Sequence, residues 1–192
     1  MSDFAVFFDL EFTAFEGSLA RRWLAPGEFK EVVQIGAVKV DAYSFALVEE
    51  LEILVKPRIN PALTPYLTNL TGISNAALSE RGVDFREAYL QFLPFAEDAV
   101  ISAFGRDDLV LTENLRLYGI CDMPPMPGYI NVIPWLAENG IDMQGLHACD
   151  VARSCGAEFH GREHDALEDA RSVWTGVRAL VASGARNPFV SA

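Results

Sequence analysis

The stretch Phe4-Ala5-Val6-Phe7-Phe8-Asp9-Leu10-Glu11-Phe12-Thr13 constrains this chain more than any other. An apolar run this dense favours a strand covered on both faces. Residues two apart in a strand point to the same side, so Asp9 and Glu11 emerge together at its end. Two carboxylates side by side at the edge of an apolar core repel each other and are poorly solvated. A hard divalent cation such as Mg²⁺ relieves both costs. The plain alternative is a strand end with two solvated acids, and the rest of the chain decides between the two.

A chain of 192 residues is long enough to bury one substantial core. Residues 31–40 and 47–55 carry β-branched residues in partial alternation and read as an antiparallel hairpin. Between the first strand and this hairpin, residues 14–31 read as a loop holding Arg21, Arg22 and Trp23. Three prolines follow, and residues 63–71 read as a short helix capped by Gly72. Residues 83–96 have helical apolar spacing, 99–104 read as a short buried strand, and Gly105-Arg106-Asp107-Asp108 turns it into a helix running through Leu109, Leu111, Leu115 and Tyr118 to Gly119. A fifth strand is expected at 129–133 and helices at 146–155 and 165–183. A meander followed by strand–helix alternation implies an α/β domain with one mixed five-stranded sheet, antiparallel then parallel, flanked by helices. Residues 1–183 form the single expected domain, and 184–192 a frayed tail.

Fifteen basic against 27 acidic residues give a net charge of −12, which disfavours broad adhesion to nucleic acid or anionic membranes while leaving room for a local basic groove. The three cysteines are an odd count without a CxxC pair, so a disulfide framework is not expected and a reducing, cytoplasmic setting is. No stretch has the length and apolarity of a membrane span, and the first residues lack the basic start of a signal peptide.

Two further places offer acids. Asp107 and Asp108 follow Phe104-Gly105 where a strand becomes a helix, at the sheet edge where α/β folds place ligands. Either also suits an ordinary helix cap; Asp108 is the expected site residue, with Asp107 left as the alternative. His164-Asp165-Ala166-Leu167-Glu168-Asp169 opens the last helix. Near a helix N-terminus the dipole disfavours a charged imidazole, and a neutral His164 suits a general base as well as it suits a surface position.

As a set, Asp9-x-Glu11, Asp108 and His164-x4-Asp169 resemble the DEDDh family of 3′-to-5′ exonucleases, which includes RNase T and the polymerase III epsilon proofreading proteins. Gln34-Ile35-Gly36-Ala37-Val38, Pro57 and Thr71-Gly72-Ile73-Ser74 fit the same family, over nearly the whole chain. Asp9-Leu10-Glu11-Phe12-Thr13, Asn60-Pro61-Ala62-Leu63 and Phe104-Gly105-Arg106-Asp107-Asp108 look closest to its KapD and Eri-like branch, except that Phe104 stands where Trp is usual. The resemblance implies a ribonuclease H-like fold, and two Mg²⁺ or Mn²⁺ ions held by Asp9, Glu11, Asp108 and Asp169. It further implies His164 as base, with Glu11 in the catalytic set, and Phe12, Thr13, Gly72, Ile73 and Phe104 beside the substrate. The implied activity removes nucleoside 5′-monophosphates from single-stranded 3′ ends, RNA weakly preferred over DNA. A homodimer is compatible with it.

Alternatives are a DNA proofreading or repair exonuclease, a hydrolase of very short oligonucleotides, and a non-catalytic nucleic-acid-binding regulator on the same fold. A binding module needs no acid cluster, which disfavours the last. His147, Cys149, Cys155 and His160 lack the paired spacing of a zinc site. The apolar residues of Gln91-Phe92-Leu93-Pro94-Phe95 are explained by a buried helix face.

Overall fold

In the computed structural model, which describes residues 2–190, five strands form one sheet in the order β3-β2-β1-β4-β5. The strands are β1 (Phe4–Phe12), β2 (Val32–Asp41), β3 (Leu47–Leu54), β4 (Ala99–Ala103) and β5 (Tyr129–Asn131). β1 lies at the centre, antiparallel to β2 and parallel to β4. β3 extends the antiparallel side and β5 the parallel side, so the mixed sheet follows the expected pattern.

Each face of the sheet has its own core. Val6, Phe8 and Leu10 of β1 pack under α4 (Phe85–Phe95) and α5 (Asp107–Leu117). Ala5 and Phe7 face the other way, toward α8 (Ala166–Ala182). The alternation of β1 thus assigns its odd-numbered residues, Asp9 and Glu11 included, to the α8 side.

Several elements depart from the expectations. One helical turn, α1 (Ser18–Arg21), forms inside the expected loop. The helix expected at 63–71 begins at Pro65 as α2 (Pro65–Thr71), its N–H groups capped by Thr64, and a second short helix, α3 (Asn75–Arg81), follows behind Ser74. The fifth strand ends at Asn131, whose side chain caps α6 (Val132–Glu138). Local propensity favoured a longer strand here; the cap and the packing of Val132 and Leu136 into the core favour the helix. The helix expected at 146–155 splits into a 3₁₀ turn (Ala148–Asp150) and α7 (Val151–Ser154).

The segment after Gly184, expected to fray, is instead docked through residue 190. Phe189 is buried against Phe7 and Phe45, its ring meeting Phe7 edge-on at 5.2 Å. The Trp135 indole donates to the Arg186 carbonyl, and the Asn187 amide donates to Ala42. A single apolar anchor with backbone hydrogen bonds on either side is enough to order so short a segment.

Candidate active site

The site is assembled by what α8 is allowed to touch. Gly36 of β2 pairs with Asp9, and a Cβ at Gly36 would stand 2.1 Å from the Leu167 nitrogen and 2.2 Å from the Ala166 carbonyl carbon. Only glycine lets the first turn of α8 lie on the sheet here. Gln34, opposite Glu11, then accepts the Ala166 N–H at 3.0 Å, and the Asp165 carboxylate caps the Leu167 and Glu168 N–H groups. Arg171 donates two hydrogen bonds to Glu50 of β3, at 2.7 and 2.6 Å.

This seating carries Asp169 over the end of β1. Glu11 and Asp169 are only 8% and 6% exposed. Glu11, His164 and Asp169 each place a ligand atom within 4.8 Å of the other two. His164 takes a left-handed backbone with φ 58° and brings Nδ1 to 3.9 Å from Glu11 Oε1. A non-glycine residue held at positive φ costs energy that the surrounding packing must supply.

Of the two acids that open α5, Asp107 faces the cleft. Asp9, Glu11, Asp107, His164 and Asp169 all line one open cleft of about 240 Å³. Asp108 does not line it: Arg106 donates to its two oxygens at 2.8 and 2.7 Å and holds its carboxyl below the usual range. The structure therefore brings Asp107, rather than the expected Asp108, together with the other acids. Adjacent residues at the start of a helix differ by about 100° in direction, so only one of the pair can face the cleft.

Crowding of buried anions shows in their proton affinities. Burial, then repulsion from Asp107, Asp169 and Glu11, raises Asp9 well above the carboxylate range. Burial and Asp169 push Glu11 up to about 8, and burial above all raises Asp107 and Asp169 to about 7. His164 is shifted the other way, by burial and then by His147, which keeps it neutral. One oxygen of Asp169, Oδ1, is buried with no hydrogen-bond partner among the described residues. Converging acids that resist ionisation, with an unpartnered buried oxygen among them, suit a divalent cation.

The expected substrate contacts separate into two groups. Phe12 and Phe104 line the cleft. Phe12 meets Trp23 edge-on, and the Lys30 ammonium lies 5.3 Å and 4.6 Å from the two ring centroids. Thr13 is committed elsewhere: its N–H donates to Glu31, its hydroxyl to Phe29, and its carbonyl accepts the Trp23 indole. It shapes the loop and keeps no free polar group for a ligand. Gly72 caps α2 at φ 73°, and Ile73, 7% exposed, packs into a third apolar cluster with Val33 and Leu67. Both border a neighbouring cavity rather than the cleft.

His147 and Cys149 also line the cleft and escaped sequence reasoning, which weighed them only as zinc ligands. Burial and Asp169 push the Cys149 thiol up to about 12, which keeps it protonated in the metal-free chain. His160 is exposed and Cys155 abuts Gly176, so the four residues do not converge.

Comparison with known proteins places this geometry. A family model for exonucleases of the RNase T type matches residues 6–174. No curated protein sequence matches the chain. Among solved structures, the nuclease domain of 3′hExo, a DEDDh family member bound to rAMP, superposes with a TM-score of 0.81 at 17% identity, covering 99% of this chain and 97% of that one. Cell-death related nuclease 4 gives 0.77 at 22% identity, covering 96% and 65%. Exonuclease I of E. coli in complex with a dA16 oligonucleotide gives 0.68 at 14% identity, covering 94% of this chain and 41% of that one. These likenesses carry the ribonuclease H-like fold, and the family match, which spans most of the sequence and ends inside α8, carries membership: this chain belongs to the RNase T family of exonucleases.

Proposed function

We propose that the chain is a divalent-metal-dependent exonuclease that hydrolyses the terminal phosphodiester at single-stranded 3′ ends and releases nucleoside 5′-monophosphates. One observation carries the reading: Asp9, Glu11, Asp107 and Asp169, from three separate elements, meet a neutral histidine in one cleft.

The four acids would hold two Mg²⁺ or Mn²⁺ ions. Such a pair activates water at neutral pH and offsets charge on the attacking and leaving oxygens. The chain supplies the rest. Neutral His164, at the mouth of the cleft, accepts the proton of the attacking water, for which a low proton affinity before turnover is required. Phe12 and Phe104 offer faces on which a terminal base stacks. Glu31 and Thr13 keep the loop carrying Trp23 and Lys30 beside Phe12, which gives an acidic chain a cation next to its anionic cleft.

The structural neighbours include an enzyme described in 3′-end recognition of histone mRNA and one bound to a DNA strand, so both polymers are candidate substrates, with RNA the weakly preferred one. The three cysteines are free, which fits a reducing, cytoplasmic setting. Matched RNA and DNA single strands incubated with Mg²⁺ test the reading, because the 2′-hydroxyl alone separates them at one site. Release of 5′-monophosphates, somewhat faster from RNA, is expected. Release of 3′-monophosphates would contradict the reading.

A further inference from the structure

A second cavity, of about 140 Å³, adjoins the catalytic cleft beyond the loop carrying His164. Arg81, at the end of α3, and Arg162, two residues before His164, both line it. Five other arginines of this acidic chain are spent on carboxylates within 4.0 Å: Arg21, Arg86, Arg106, Arg153 and Arg171. Among the described residues, Arg81 and Arg162 have no such partner, as is also true of Arg22, Arg58, Arg116, Arg178 and Arg186, and of these seven only Arg81 and Arg162 line this cavity.

The acids nearby are already engaged. Glu52 accepts from Gln34, and Asp165 caps α8. The Arg162 side chain is exposed, and its guanidinium lies over Gly72, where a side chain would stand: a Cβ there would meet Nη1 at 1.9 Å and Cζ at 2.2 Å. Gly72 therefore serves two ends, its left-handed cap at φ 73° and the space in which Arg162 rests. A planar guanidinium that is exposed, unpaired and beside a phosphodiesterase cleft has the chemistry to take a phosphate.

We propose that Arg162, backed by Arg81, binds the phosphate next on the 5′ side of the scissile one, and so selects strands over isolated nucleotides. This rests on the exonuclease reading of the neighbouring cleft. Arg162 stands two residues before His164 and lines the neighbouring cavity rather than the cleft that would hold the scissile phosphate.

A double-substitution cycle tests it. A fluorescent single strand, intact or with one methylphosphonate at that position, is titrated in Ca²⁺ with the wild type and Arg162→Gln, and binding is read by anisotropy. Loss of one charge-assisted contact weakens binding roughly 10-fold. Each change alone is expected to do so, and the two together no more than either. Arg162→Lys is expected to recover part of the affinity, since a point charge remains. A combined loss of roughly 100-fold, or no effect of Arg162→Gln, overturns the proposal. Wild-type hydrolysis of thymidine 5′-monophosphate p-nitrophenyl ester, which has no upstream phosphate, tests the cleft separately. Hydrolysis with an additive cycle defeats only the Arg162 assignment; no hydrolysis counts against the exonuclease reading itself.

Discussion

Arg106 holds Asp108 through two hydrogen bonds of 2.8 and 2.7 Å, while Asp107, its neighbour, lines the cleft with Asp9, Glu11 and Asp169. One residue of the pair is neutralised by a guanidinium at the surface and the other is left among buried anions. The two substitutions should therefore differ sharply. Asp107→Asn should lower kcat by at least ~100-fold, the scale for losing a preorganised electrostatic group. Asp108→Asn should cost less than ~10-fold, because an exposed ion pair contributes little. Steady-state kinetics on one oligonucleotide decides it; the reverse order would restore Asp108 as the third acid.

Without metal the folded protein should be more stable in mild acid than in mild base. Glu11 at about 8, and Asp107 and Asp169 at about 7, bind protons more tightly folded than their ordinary values near 4 allow unfolded. For groups raised on folding, stability is full below the unfolded pKa and is lost as pH rises through the folded one. The melting temperature in EDTA should thus fall between pH 5 and pH 8. Mg²⁺ or Mn²⁺ should restore more of it at pH 8 than at pH 5, since ionised ligands are required. A metal-free melting temperature that rises over this range would contradict the crowding.

His164→Gln should separate chemistry from metal affinity. Loss of a positioned general base costs roughly 10²–10⁴-fold in turnover, whereas calorimetric affinity for Mn²⁺ should change much less. Equal losses in both would make His164 a ligand rather than a base.

The fold was legible where periodicity is strong. The central strand, its hairpin and the long last helix follow from apolar patterning alone. What was not legible depends on contacts distant in sequence. Glu31 is fully buried and accepts the N–H groups of Arg58, Ile59 and Asn60 at 2.7 Å each, together with the Tyr118 hydroxyl. Nothing local marks it as other than a strand-edge acid. Asp107 and Asp108 are equivalent by pattern, and only the reach of Arg106 distinguishes them. The docked tail depends on a gap between Phe7 and Phe45 that exists once the sheet is built.

Glu31→Ala tests that hidden hub. It strands three part-buried N–H groups, and leaving such a group unpaired costs up to about 1–3 kcal/mol. A loss of about 3 kcal/mol or more is expected, or roughly 6–12 °C in Tm for a chain of this size. A shift under ~2 °C would mean that water replaces the carboxylate.

The acid cage is the central claim, and a 5′-labelled single strand with Mg²⁺ tests it most directly when wild type and Asp169→Asn are run side by side. The wild type should give a ladder shortened one nucleotide at a time from the 3′ end, and Asp169→Asn, folded by circular dichroism, should leave the strand intact. Internal cuts, shortening from the 5′ end, or an unchanged ladder from Asp169→Asn would contradict it.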